Sequence, residues 1–289
     1  MSEPTFHAIE AGFREIASTR DDIVSALVFG SQASQADPAD QWSDLDIMAF
    51  VENPMVFIDN QEWLHRIGTV RIAFAQPNVF GTGIELRMLL ERGLDVEFLF
   101  LPHAEIAQLM SRNDIADWVR SGNRIIVDKD GRLTALLRAA LHQPVSDETA
   151  LAESGYRNLV ADFFFHVVWT TKKLLRGEIL TAKNCCDVYM KELLLRMIVW
   201  NVRARETWAN PPLHGSRHFE QWADGGIVRD FSSIYAHYDR ADILRALTAT
   251  ADLFARVARE TAESLPCEYP LHYETHAREL MAEYVDLKT

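Results

Sequence analysis

Cysteine is scarce in this chain. Only Cys185, Cys186 and Cys267 occur in 289 residues. Two are sequence neighbours and the count is odd, which argues against a disulfide framework and leaves no C-x-x-C metal spacing. A reducing compartment, the cytoplasm, is the expectation. A basic excess is also missing: 29 Lys and Arg stand against 42 Asp and Glu, a net charge of −13. Binding to a nucleic-acid backbone wants a basic face, so nucleic acid is not the expected partner. An acidic protein steers cations instead, which suits a cationic small molecule. No run of about 18 apolar residues exists, so no membrane span is expected. The opening MSEPTFHAIEAGFREIA has no basic region followed by an apolar one, so no signal peptide is expected either. Internal repeats and low-complexity tracts are absent. The ten histidines are scattered. His214 and His218 are four apart, but with no Glu between them and no third ligand they read as loop residues rather than zinc ligands.

What is present is an ordinary globular balance, 48% apolar and 25% charged. The texture changes along the chain. Up to Gln143-Pro144, short apolar runs alternate with helical periodicity. Helices are expected over Thr5–Ser18, Met55–Ile67, His103–Val119 and Leu133–Leu141. Strands are expected up to Gly30 and over Ile47–Val51, Arg71–Ala75, Ile84–Leu90, Leu94–Leu101 and Arg124–Asp128. Glu91-Arg92-Gly93 predicts a hairpin between two of them. From Ser146 onward the pattern is helical, over Asp147–Arg176, Thr181–Glu206 and Arg240–Leu265. The contrast predicts an α+β protein of two domains, 1–143 and 144–289, the first a mixed sheet with flanking helices and the second a helical bundle.

One stretch carries chemistry: ALVFGSQASQADPADQWSDLDIMAFV, residues 26–51. A short apolar strand ends in Gly30-Ser31, a polar loop comes next, and Asp44-Leu45-Asp46 opens a second strand. Glycine allows a tight turn or a close approach to ligand. Alternate strand residues share a face, so Asp44 and Asp46 point the same way. Two such carboxylates suit a cation between them, and magnesium takes one or two carboxylates plus substrate phosphates. A later strand, LDVEFLFL, places Asp95 and Glu97 on one face as well. In the helical half, Lys183, Asp187 and Lys191 are spaced i, i+4, i+8, the pattern of a salt-bridge ladder on a solvated face.

Apolar strand, Gly-Ser and then D-x-D resembles the nucleotidyltransferase signature of the DNA polymerase beta superfamily. More narrowly, the chain resembles the aminoglycoside 6-adenylyltransferase (streptomycin adenylyltransferase) family. Residues 43–47 with Phe50-Val51 fit that family, as do Trp169, Lys172, Arg176-Gly177-Glu178-Ile179, Ala182-Lys183, Asp187 and Trp200 in that order. The likeness continues through residues 238–242 and 267–270. It implies a polymerase beta-like catalytic domain and transfer of AMP from ATP, with two magnesium ions, to a hydroxyl of a cationic aminoglycoside, giving antibiotic resistance. Asp44, Asp46 and Glu97 would hold the metal and catalyse, Asp95 being the alternative third carboxylate. Gly30, Ser31, Lys172 and Lys183 would bind the nucleotide. Asp187, Glu192 and Asp95 would line the acceptor site, expected between the domains. An adenylyltransferase acting on another small molecule or a protein, and a non-catalytic nucleotide-binding module, are the competing readings. Oligomeric state, monomer or homodimer, stays open.

Overall fold

The computed structural model describes residues 5–34, 38–78, 81–112, 122–142, 152–205, 216–265 and 267–287. The chain divides into two compact units, Met1–Asp147 and Glu148–Thr289. The boundary expected at Gln143-Pro144 lies outside the described residues, as do the distal part of the helix expected to reach Val119, and His214.

The first unit is built on a six-stranded sheet in the order β3-β4-β5-β2-β1-β6. The strands are β1 (Ile23–Phe29), β2 (Leu45–Val51), β3 (Val70–Pro77), β4 (Ile84–Leu90), β5 (Asp95–Pro102) and β6 (Arg124–Asp128). Among these strands β2 and β5 alone run parallel; every other neighbouring pair is antiparallel. The expected hairpin is β4–β5. Helix α1 (Phe6–Thr19), capped by Thr5, places Ile9, Phe13 and Ile16 on one sheet face. There they pack with Val28, Ile47, Val96, Phe98 and Phe100, alternate residues of their strands. Phe57 and Trp63 join this core. Each such buried side chain contributes about 1.5–3 kcal/mol. The Met55–Ile67 stretch is not one helix. Asn60, extended at φ −121°, separates a single turn, Val56–Asp59, from a 3₁₀ segment, Glu62–Arg66.

The opposite sheet face carries a smaller core. Leu27, Met48, Phe50, Leu99 and Leu101 are covered by Ile106, Leu109 and Met110 of α2 (Ile106–Met110) and by Leu133, Leu137 and Ala140 of α3 (Arg132–His142). Period-two alternation puts Asp46 on the face of Met48, and Glu97 on the face of Leu99. The carboxylates therefore continue the row of side chains that forms this smaller core.

The second unit is helical: α4 (Glu153–Leu175), α5 (Ile179–Asn184), α6 (Met190–Arg205), α7 (Arg240–Ser264) and α8 (Leu271–Asp286), with the short helical segments Phe219–Trp222 and Gly225–Phe231 among the described residues between α6 and α7. Gly177, at φ +79°, ends α4 through bonds from Gly177 N–H to Leu174 C=O and Glu178 N–H to Lys173 C=O. Phe163, Phe164, Met190, Leu194 and Phe254 centre its core. Residues Cys185–Tyr189 form a π turn between α5 and α6. The extra residue of such a turn rotates the succeeding side chains about the helix axis. Lys191 departs from the solvated face expected of the ladder. It is 7% exposed and donates to Cys186 C=O and Thr250 Oγ1, each at 2.8 Å. Burial holds its pKa below the ordinary lysine value.

Candidate active site

The turn after β1 is a 3₁₀ segment, Gly30–Gln32. Gly30 has φ +69°, and a Cβ there would run into the Asp46 carboxylate. Glycine suits the backbone angle, and a Cβ here would have to displace the Asp46 carboxylate. The next residue, Ser31, is buried, and its Oγ has no hydrogen-bond partner among the described residues. A buried hydroxyl without a partner is costly and uncommon, so its place calls for a partner from outside the chain.

Across the sheet, register brings the carboxylates together. Phe29 pairs with Asp46, Asp46 with Glu97, Glu97 with Arg87, and Arg87 with Phe74. One transverse row therefore runs from β1 through β2, β5 and β4 to β3. Asp44 sits just before β2, exposed. Asp46 is pushed up to about 8 by burial, then by the charges of Asp44, Glu97 and Asp95. Glu97 is pushed up to about 7 by burial and by Glu85, with Arg87 opposing. Asp95 is raised as well, by burial and by Asp44. Like charges crowded in partly dry surroundings resist ionising together. A divalent cation would relieve that crowding. Among the described residues no three carboxylate, His or Cys side chains form a ready-made metal cage. Magnesium is ordinarily held by one or two carboxylates together with substrate phosphates, which a pair on one strand face can supply.

Of the residues singled out in the first unit, Gly30, Ser31, Asp44, Asp46, Asp95 and Glu97 are brought together here. Two others are not singled out by the sequence. Arg87 Nη2 lies 2.9 Å from Glu97 Oε2, and Arg87 Nε also pairs with Glu85. Glu85 is itself buried and receives Gln76 Nε2 at 3.1 Å. A signal exists all the same: β4 reads IELRMLL, and Glu85 and Arg87 share the face that Glu97 occupies on the neighbouring strand.

In the second unit the candidates separate. Lys183 is engaged, with Nζ 2.5 Å from Asp187 Oδ2 and donating to Ala236 C=O. Lys191 Nζ lies 3.9 Å from Asp187 Oδ1, which is buried and has no hydrogen-bond partner among the described residues. Lys172 instead lines an open pocket of about 570 Å³ with Trp169, Lys173, Arg176 and Tyr284, its Nζ 5.4 Å from the Tyr284 ring centre. Glu192 lines a different pocket, about 620 Å³, with His166, Trp169, Asn184 and Tyr189. Behind its aromatic wall, Asp162 accepts from Tyr189 at 2.9 Å and pairs with His166 at 2.8 Å.

A strand, a Gly-Ser turn, a strand-borne carboxylate and a second carboxylate in register on a parallel neighbour are the arrangement expected of a nucleotidyltransferase. The chain belongs to the streptomycin adenylyltransferase family, whose model matches residues 8–284. It is 21% identical over 265 residues to the aminoglycoside 6-adenylyltransferase of Bacillus subtilis (strain 168), covering 89% of this chain and 90% of that protein. It is 22% identical over 266 residues to the Campylobacter jejuni enzyme of the same name, covering 89% and 88%. The crystal structure of an aminoglycoside 6-adenyltransferase from Bacillus subtilis aligns over 99% of both chains at 17% identity, with a TM-score of 0.47. No helix among the described residues is long and apolar enough to cross a membrane.

Proposed function

We propose that this protein transfers AMP from ATP to a hydroxyl of a cationic, streptomycin-like aminoglycoside, with magnesium held by Asp44, Asp46 and Glu97. The observation that carries this reading is the register pair Asp46–Glu97 beside the Gly30-Ser31 turn. Asp44, Asp46 and Glu97 would hold the magnesium, which would supply positive charge to stabilise the reacting phosphates. The residues of the chain do the rest. Ser31 Oγ, buried without a partner among the described residues, donates to a phosphate oxygen, and the Gly30 turn lets the phosphates come close to the backbone. Glu97 takes the proton of the acceptor hydroxyl as its oxygen bonds to the α-phosphorus and the bond to pyrophosphate breaks. Of the two lysines, Lys172, which lines an open pocket, is the one assigned here to phosphate, since Lys183 is paired with Asp187. Glu192, with the Trp169 and Tyr189 rings beside it, suits a cationic acceptor. The net charge of −13 favours the approach of such a ligand.

The test is pyrophosphate release with ATP and magnesium across a panel of aminoglycosides and neutral sugar alcohols. Release should require an aminoglycoside. Release that is equal without any acceptor, or absent with every acceptor, would overturn the reading.

A further inference from the structure

Arg87 is the one cation in the transverse row of the active site, and it is held from both sides. Its Nη2 meets Glu97 Oε2 at 2.9 Å, while its Nε is gripped by Glu85. The Arg87 side chain is half exposed, and a surface ion pair of that kind ordinarily contributes little. Glu85 is different. It is 3% exposed, on the sheet face where its neighbours across β5 and β2, Leu99 and Met48, are core residues. An apolar residue there would extend the small core, whereas a buried carboxylate needs an answering charge. Among the described residues Glu85 finds that charge in Arg87, with Gln76 taking a share of the same oxygen. The planar guanidinium then has a fixed plane and a fixed reach, which an ammonium on a flexible stem would lack.

We infer that Arg87, locked by Glu85, is a positioning residue: it holds Glu97 by Oε2 and leaves Oε1 directed to the acceptor hydroxyl and to a metal ion. This rests on the reading of Glu97 under Proposed function. Arg87 touches neither nucleotide nor acceptor; it acts through Glu97. It also stands as a fixed positive charge beside a site meant for cations. Those two effects pull in opposite directions, and that makes the role testable. Removing Arg87 removes a competing cation, so a divalent ion binds the empty site more tightly. It also frees Glu97 to turn, so the chemical step slows.

The experiment measures manganese binding to the full-length protein without nucleotide, by electron paramagnetic resonance, together with steady-state kinetics for ATP and acceptor. Arg87→Gln should bind manganese at least threefold more tightly, while kcat falls tenfold or more and both KM values stay within about twofold. Arg87→Lys should return manganese affinity to the wild-type level but recover only part of kcat, because charge returns without the fork. Glu85→Gln should lower kcat and, with a negative charge lost beside Glu97, bind manganese more weakly. The Glu85→Gln, Arg87→Gln double variant should be no slower than Arg87→Gln. Tighter manganese binding with unchanged or raised kcat would reduce Arg87 to a bystander counter-ion and overturn the inference. In Arg87→Gln, weaker manganese binding together with lower kcat and a lower melting temperature would mean a structural role, and would overturn it too. A wild-type protein that adenylates no acceptor would instead sink the functional reading, with the manganese comparison still readable.

Discussion

Asp46 and Glu97 face each other across the parallel strand pair of the sheet. They come from strands about fifty positions apart, and register alone makes them neighbours. Loss of either side chain's charge should therefore act on the same step. Glu97→Gln should lower kcat by about 10²–10⁴-fold, the usual contribution of a positioned base. Asp46→Asn should cost at least as much, with circular dichroism unchanged. Near wild-type turnover by either variant would remove it from the machinery.

The raised values of Asp46 and Glu97 fix the sign of a pH effect. Each carboxyl keeps its proton to a higher pH in the folded protein, about 8 and about 7, than in the unfolded chain. Stability from this source is fully present below the ordinary carboxylate range. It is lost as pH climbs from there through about 8, because the unfolded chain ionises first. The protein in EDTA should melt at progressively lower temperature from about pH 5 to about pH 8.5. Asp46→Asn should flatten that fall, and a divalent cation should raise the melting temperature more at the alkaline end of the range than at the acid end. A melting temperature that rises over this range in EDTA would contradict the arrangement.

Gly30→Ala separates backbone from charge. The φ of +69° costs a non-glycine residue of order 1–3 kcal/mol. The new methyl also displaces the Asp46 carboxylate. A modest drop in melting temperature with a kcat loss of tenfold or more is expected, measured on the same preparation. Full activity would mean that the turn does not need to approach Asp46.

The two pockets of the helical unit should report on different ligands. Lys172→Met should raise KM for ATP with little change in KM for the acceptor. Glu192→Gln should raise KM for the acceptor and leave that for ATP alone. A desolvated charge contact is worth roughly 1.5–3 kcal/mol, a shift on the order of tenfold or more. The opposite pairing of effects would exchange the two assignments.

The strand–turn–strand motif is legible in the sequence because each part obeys a local rule: an apolar run, a glycine where the chain must turn, and carboxylates spaced by two. The parallel β2–β5 register is not, since pairing across about fifty residues leaves no local trace. The weight of Glu97 over Asp95 therefore rests, in the sequence, only on its place along the strand. Arg87 stays hidden because a single arginine in a strand reads as a solvated charge until its cross-strand partner is known. Lys191 departs from expectation for another reason. Its i+4 spacing does bring it within 3.9 Å of Asp187, but the face is buried rather than solvated, and its Nζ bonds to Cys186 C=O and Thr250 Oγ1. The Met55–Ile67 stretch has helical periodicity, yet Asn60 adopts an extended backbone that interrupts it.

The most direct test is the mass of an aminoglycoside incubated with ATP, magnesium and the protein, run beside Asp46→Asn. A gain of one AMP unit per acceptor, matched by one pyrophosphate released, is predicted with the wild-type protein and none with the variant. An acceptor of unchanged mass with the wild-type protein, or the same gain with Asp46→Asn, would contradict the proposed chemistry.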